Sequence, residues 1–517
     1  VQTPTEIGTL LSTRGVASTL AFASGAMLAF AFAPFDLWPC TLLASGGLYL
    51  AWSAGTPRTL AWRGYLFGFA KYGVGVSWIY VSIHDHGHAN VALSAFLVVV
   101  FAGGMALFPM LMGYLYGRWV RADAGFDVVS FAALWTLVDW VLTWLLTGFP
   151  WLFPGYAQIH TWLAAYAPVG GVLLVGFVVV LSGASLARLL ETSARSWWPA
   201  GLGLALWLTG WALGWVAWVV PAERAPVEVA LVQGNVPQET KWLPESVGPI
   251  LRTYERLTEP HWGRELIVWP EAAITLWRQQ AGPFLARLSA RGRATGTTLV
   301  TGIPGWQRVP GERQAYFQNM AIAIGMGEGD YVKRRLVPFG EYVPLEFVIR
   351  GWIEFFDLPM SHSRPGPMEQ PLLKAGDLRL ATAICYEIVY PDLVREQAAD
   401  ADLLLTISND TWFGDSIGPY QHMQMAQMRA LENGRYLVRA TNNGVTAIVD
   451  HLGNIRGQLP RFERDVLIGE ALVMEGRTPF SRVGAMPIVL VCAAFVALAL
   501  WRRRSAASGD RSRPPPW

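Results

Sequence analysis

Cysteine is nearly absent from this chain and charge is scarce. Three cysteines in 517 residues, Cys40, Cys385 and Cys492, offer no disulfide framework, so cross-linking does not hold the fold together. Charged residues make up 15%, against roughly 25% in ordinary soluble domains, and a net charge of +2 gives no global attraction for nucleic acid. There is no G-x-S-x-G elbow and no G-x-x-x-x-G-K-[ST] loop, so the serine-hydrolase and nucleotide-phosphate signatures are missing. No repeat or low-complexity block is present, and no motif calls for a cofactor.

Apolar residues are what the chain has in excess: 53% of the total, with a mean hydropathy of +0.31. Runs near 15–34, 37–54, 62–83, 91–116, 127–147, 166–190, 199–220 and 484–501 approach or reach the length that spans a bilayer core, which predicts about eight membrane spans. Arginines fall in every second connection: Arg58 and Arg63, Arg118 and Arg121, Arg188 and Arg195, then Arg502, Arg503, Arg504, Arg511 and Arg513. The connections around Asp36, 84–90 and 148–160 carry no Lys or Arg. The positive-inside rule then places both termini in the cytoplasm and the long segment before the last span on the far side.

The expected organisation is spans within 1–222, a soluble domain over 223–480, a last span within 481–504 and a disordered cytoplasmic tail over 505–517. The first run, preceded by Arg14, also reads as a cleaved signal peptide, which would leave the placement of 223–480 unchanged. Lys71 and Asp139 fall inside spans, where ionisable groups are functional candidates by default, although neither has a partner legible in the sequence. His84-Asp85-His86-Gly87-His88 has metal-ligand residue types in one outward loop but no second ligand group, so no metal is expected.

Within 223–480, short β-rich runs at 227–233, 266–269, 297–301, 319–324, 378–384, 402–408 and 444–449 alternate with helical patterns at 245–258, 281–291 and 419–435. That order is α/β; composition alone allows a doubly wound sheet. Cys385 ends one of these apolar runs, directly before Tyr386-Glu387. Two further islands place reactive groups just past strands: Glu271 in Ile267-Val268-Trp269-Pro270-Glu271 and Lys333 in Tyr331-Val332-Lys333.

A thiol with an unperturbed pKa of about 8.5 is only a few per cent thiolate at neutral pH, so it needs a base. Glu271 has the right chemistry to take its proton and later return it, while a fixed Lys333 cation and a backbone N–H near Cys385 would stabilise a tetrahedral oxyanion. Plainer roles remain open for each residue. Pro270-Glu271-Ala272-Ala273 resembles a first helical turn, Lys333 adjoins Arg334 and Arg335 in a basic run, and Cys385 suits a buried core. Arg334 and Arg335 read as surface or phosphate-facing. Phe339, Trp412, Phe413 and Ile417 suit either an acyl chain or a bilayer interface.

These islands resemble the carbon–nitrogen hydrolase (nitrilase) superfamily, and the whole chain resembles the apolipoprotein N-acyltransferase family of Gram-negative bacteria. The resemblance is carried by Val232-Gln233-Gly234-Asn235-Val236-Pro237-Gln238, Lys241-Trp242, Trp269-Pro270-Glu271, Val300-Thr301-Gly302-Ile303, Leu336 to Pro344, Ala383-Ile384-Cys385-Tyr386-Glu387, Leu405 to Asp410 and Thr441-Asn442-Asn443-Gly444. In the membrane part it includes Leu146-Thr147-Gly148-Phe149-Pro150-Trp151.

The resemblance implies a multi-pass helical membrane domain joined to an α-β-β-α sandwich, with Glu271, Lys333 and Cys385 catalytic. Trp242, Glu341, Tyr386 and Glu387 would support the site or position substrate. It further implies a phospholipid acyl donor such as phosphatidylethanolamine, a diacylglyceryl apolipoprotein acceptor, a thioester on Cys385 and an inner-membrane enzyme with a periplasmic catalytic domain, with no cofactor and no nucleic acid. The alternatives are a membrane-tethered amidase or nitrilase acting on small periplasmic substrates, and a catalytically silent scaffold.

Overall fold

The computed structural model describes residues 14–121, 126–191, 198–308, 311, 315–342 and 363–510. Arg195, Val343, Pro344 and the tail after residue 510 lie outside them. The chain divides into two compact units, one of Val1–Tyr80, Val91–Ala217 and Val483–Trp517, the other of Val81–Asn90 and Trp218–Arg482.

In the first unit each apolar run carries a helix: Arg14–Ala29, Pro39–Ala51, Pro57–Gly75, Val91–Met105 continued by Leu107–Leu115, Phe126–Val141, Ala167–Glu191, Trp198–Leu213 and Met486–Asp510. Among the described residues, Val91–Val120, Trp162–Leu190 and Met486–Ser505 are long and apolar enough to cross a bilayer alone, and a bent pair, Pro57–Gly75 with Ile79–His86, raises the three to four. Phe96, Val99 and Val100 on Val91–Met105 are exposed apolar side chains.

Arg63 donates to the Ala51 and Ala54 carbonyls and Arg121 to those of Trp52 and Ser53, so both cap the end of helix Pro39–Ala51. Arg188 pairs with Asp127 at 3.1 Å, and Tyr49 donates to the same carboxylate at 2.6 Å. Lys71 and Asp139, partnerless in the sequence, are both buried and attract each other electrostatically.

The second unit is a layered α/β structure. Its strands are β1 (Val219–Pro221), β2 (Val227–Gln233), β3 (Leu266–Val268), β4 (Thr298–Arg308), β5 (Ala315–Gly325), β6 (Gly327–Glu328), β7 (Asp330–Val332), β8 (Leu373–Ala375), β9 (Leu378–Ile384), β10 (Leu403–Ser408), β11 (Leu437–Thr441), β12 (Ala447–Val449), β13 (Ile455–Gln458), β14 (Asp465–Ala471) and β15 (Met474–Gly476). One sheet has the order β14-β2-β3-β4-β5-β7, the other β13-β12-β11-β10-β9-β8-β6, and β1 pairs with β15. The centre of each sheet is parallel, β2-β3-β4 in one and β9-β10-β11 in the other.

Period-two alternation in β2 shows why four layers form. Val229 and Leu231 face a core shared with Leu380, Leu405 and Val438 of the other sheet, whereas Ala230 and Val232 face Tyr254, Phe284 and Leu288 of the helices Val247–Thr258 and Gly282–Thr295. Helices Pro391–Ala398 and Gly418–Asn433 serve the seven-stranded sheet. Both faces of the central strands are apolar because both are covered, giving the α-β-β-α sandwich.

Candidate active site

The parallel strands of both sheets end toward the same set of polar residues, the place where open α/β sheets put ligands. After β3 the chain turns sharply through Trp269-Pro270-Glu271, with Ala272 in the left-handed region at φ 48°. Gly302 in β4 permits that turn, because a Cβ there would lie 2.6 Å from both Glu271 Cα and Pro270 O. The turn is not a helix start, so the dipole-complementing alternative for Glu271 falls away.

Lys333 follows β7, its N–H bonded to the Asn319 carbonyl at 2.8 Å. Its side chain is 1% exposed, which excludes a solvated basic run. Cys385 follows β9 at φ 54°, a conformation a non-glycine residue holds only when its surroundings impose it.

These three groups from separate strands are joined by charge and by amides. Lys333 Nζ is 2.8 Å from Glu341 Oε1 and 3.7 Å from Glu271 Oε1. The Asn319 amide donates to Glu271 Oε1 at 2.6 Å and to Glu341 Oε1 at 3.4 Å, while the Asn409 backbone N–H donates to Glu271 Oε2 at 2.6 Å. Glu341 Oε2 accepts from Val337 N. Burial by itself disfavours the Lys333 cation, but Glu341 and Glu271 outweigh it and hold the amine firmly protonated.

Cys385 keeps some exposed surface. Burial and the neighbouring Glu271 charge push its thiol well up, against the opposing pull of Lys333. The resting group is therefore a thiol, and its proton has to leave as it attacks.

Glu387 is fully buried and accepts from the backbone N–H groups of Ile384, Arg334 and Arg335 and from Tyr331 OH. It thus ties the Cys385 turn to the Lys333 segment. Burial pushes its carboxyl up, and these donors pull it partly back. Tyr386 packs edge-on against Tyr390. Trp242, 39% exposed, lies beside Lys241 Nζ, 6.0 Å from its ring centroid.

Lys241 itself is buried and donates to the Glu271 carbonyl at 3.3 Å. Burial, partly offset by Glu271, brings its amine down to about 8.

One expectation is corrected. Arg334 is buried, donating to Tyr331 OH and to the Met368 carbonyl, so it braces the site rather than meeting solvent or phosphate. Phe413 turns inward onto His422, with ring centroids 5.9 Å apart. The His84–His88 segment does not gather a metal set, and no such group occurs among the described residues. Instead Ser82 donates to the Trp412 carbonyl and His86 packs edge-on to the Trp412 ring.

Sequence reasoning missed Asn319 as a site residue; its only signal was an amide opening an otherwise apolar run. The motif residues Asn442 and Gln238 prove to be scaffold. Asn442 bonds both backbone groups of Val236, and Gln238 accepts from the Asn409 side chain.

Residues 24–186 match the Apolipoprotein N-acyltransferase N-terminal domain and residues 228–473 match Carbon-nitrogen hydrolase. The chain is 47% identical to an apolipoprotein N-acyltransferase of Azotobacter vinelandii, covering 96% of each. To that of Pseudomonas aeruginosa PAO1 it is 44% identical over 94% of this chain and 96% of the relative, and to that of Vibrio vulnificus 37% over 93% and 96%. Among solved structures it is similar to a carbon-nitrogen hydrolase from Helicobacter pylori G27, at 15% identity and a TM-score of 0.37, covering 48% of this chain and 89% of that one. Mutual coverage this complete at such identities means that the chain belongs to the apolipoprotein N-acyltransferase family, with a nitrilase-like carbon-nitrogen hydrolase domain.

Proposed function

We propose that the protein transfers an acyl chain from a phospholipid, phosphatidylethanolamine in the first instance, to the α-amino group of the diacylglyceryl N-terminal cysteine of an apolipoprotein. The observation that carries this reading is the buried network in which Asn319 and Lys333 bind both Glu271 and Glu341 beside Cys385. A helical unit matching the family's N-terminal domain accompanies it.

Glu271 removes the Cys385 proton as sulfur attacks the ester carbonyl, and Lys333 with a backbone N–H stabilises the oxyanion. The ester C–O bond then breaks, Glu271 protonates the departing lysophospholipid, and a thioester remains. In the second half the acceptor amine attacks the thioester and gives a proton to Glu271. The C–S bond breaks, an amide forms and the thiol regains its proton. The Lys333 charge is permanent in both halves, so its role is electrostatic rather than proton transfer.

Both substrates are lipidated, which gives a physical reason for attaching this chemistry to a membrane unit. We place that unit in the inner membrane with eight spans, the domain 223–480 in the periplasm and both termini in the cytoplasm. Support comes from Arg63 and Arg121 capping the same helix end and from Arg503 donating to the Gly117 carbonyl, close to Arg118 and Arg121. Basic residues from distant connections thus gather at one end of the helical unit.

The test is mass spectrometry of the full-length protein incubated with phosphatidylethanolamine, beside Cys385→Ala. A hydroxylamine-labile adduct on Cys385 that passes to a diacylated lipopeptide as an amide is expected. Absence of the adduct together with hydrolysis of small amides would overturn the reading in favour of a tethered amidase.

A further inference from the structure

Behind the nucleophile lies a buried polar cluster that the mechanism above leaves unused. His422, on helix Gly418–Asn433, has Nε2 3.1 Å from the Cys385 carbonyl oxygen. Its Nδ1 is 3.0 Å from Arg439 Nη2 and 3.2 Å from Asp410 Oδ1, and the same guanidinium nitrogen donates to Asp410 Oδ2 at 2.8 Å. Ser408 donates to Asp410 Oδ1. His422, Asp410 and Arg439 are all essentially inaccessible.

A carbonyl only accepts, so Nε2 carries the hydrogen that meets Cys385. Burial and the Arg439 charge lower the ring's proton affinity, against the opposing pull of Asp410.

The peptide joining Cys385 to Tyr386 is planar and trans, so its C=O and N–H point in opposite directions. A donor that captures the carbonyl on the His422 side sends the Tyr386 N–H to the other side. We infer that His422 is a positioning residue that locks the Cys385–Tyr386 peptide so that the Tyr386 N–H serves as the oxyanion donor opposite Lys333. The Arg439–Asp410 pair flanks Nδ1 and holds the ring with Nε2 facing that carbonyl. The strain at Cys385, with φ 54°, is the reason a lock is needed: without it the turn relaxes and the donor swings away.

This inference rests on Cys385 being the acylated nucleophile, and the test separates the two. Single-turnover acylation of the full-length protein by phosphatidylethanolamine is compared with alkylation by iodoacetamide, which requires the thiol but no oxyanion donor. The variants are His422→Gln, which retains an N–H for the carbonyl, and His422→Met, which has similar length and none.

His422→Met is expected to lose roughly 10²-fold in acylation, the scale of removing one oxyanion donor, while alkylation stays within about 3-fold. His422→Gln is expected to recover most of the acylation rate. Equal acylation by the two variants, or a parallel fall in acylation and alkylation, would overturn the inference. A wild-type protein that forms no adduct would instead bring down the acyl-enzyme reading, and the inference with it.

Discussion

Gly302→Ala should disable the enzyme although residue 302 bears no functional group. The added Cβ would lie 2.6 Å from Glu271 Cα and from Pro270 O, with the Ala272 nitrogen also inside contact distance. Each of these is backbone, so no side chain can rotate away. The Ala272 nitrogen is nearest at 2.4 Å, so restoring ordinary contact near 3.4 Å requires the Glu271–Ala272 turn to move by about 1 Å.

That movement opposes the 2.6 Å bonds from Asn319 and Asn409 that hold the carboxylate. Overpacking of this kind costs about 1–3 kcal/mol, and displacing a reacting group by about 1 Å costs on the order of 10²-fold in rate. The assay is single-turnover acylation of Cys385 by phosphatidylethanolamine, with thermal melting in parallel. Gly282→Ala is the control, since a Cβ there meets nothing within 4 Å. A Gly302→Ala protein that acylates and melts like the wild type would show that the Glu271 turn is not held where the mechanism needs it.

Asn319→Leu removes the amide shared by Glu271 and Glu341; it should slow acylation and destabilise the protein by about 1–3 kcal/mol, read by melting, because two buried carboxylates each lose a donor. Iodoacetamide alkylation of Cys385 should keep rising beyond pH 9, since its surroundings hold the thiol well above the ordinary value, and a plateau below pH 8 would contradict that environment. Lys241, brought down to about 8 in the folded protein against about 10.4 unfolded, makes the unfolded state bind more protons between those values. Stability should therefore rise from pH 8 to 10, by about 2 kcal/mol relative to Lys241→Met, and a flat difference between the two melting profiles would refute it.

The strands 227–233 and 378–384 were legible to the residue because each is a run of apolar and β-branched side chains sharply bounded by polar or turn residues. The expected strands at 297–301 and 319–324 fall short of the observed β4 and β5, because this hairpin continues past the core into exposed Trp306, Gln307 and Arg308. Strand β11 escaped detection because Arg439 sits in its centre and reads as surface, whereas it is buried and paired with Asp410. Strand β14 was hidden by its edge position, where half-exposed residues blur the alternation.

The sequence by itself determined the residue chemistry: a lone thiol after an apolar run, a carboxylate and an amine just past other strands, and a chain too apolar to be wholly soluble. Such features are encoded by neighbours within a few residues, so they survive without knowledge of the fold. Only the tertiary structure decided that Asn319 bridges two carboxylates, that Arg334 points inward, and that His422 grips the Cys385 carbonyl. Those contacts join residues far apart in the chain, and they exist because two parallel-centred sheets, in one register, bring their strand ends to the same place.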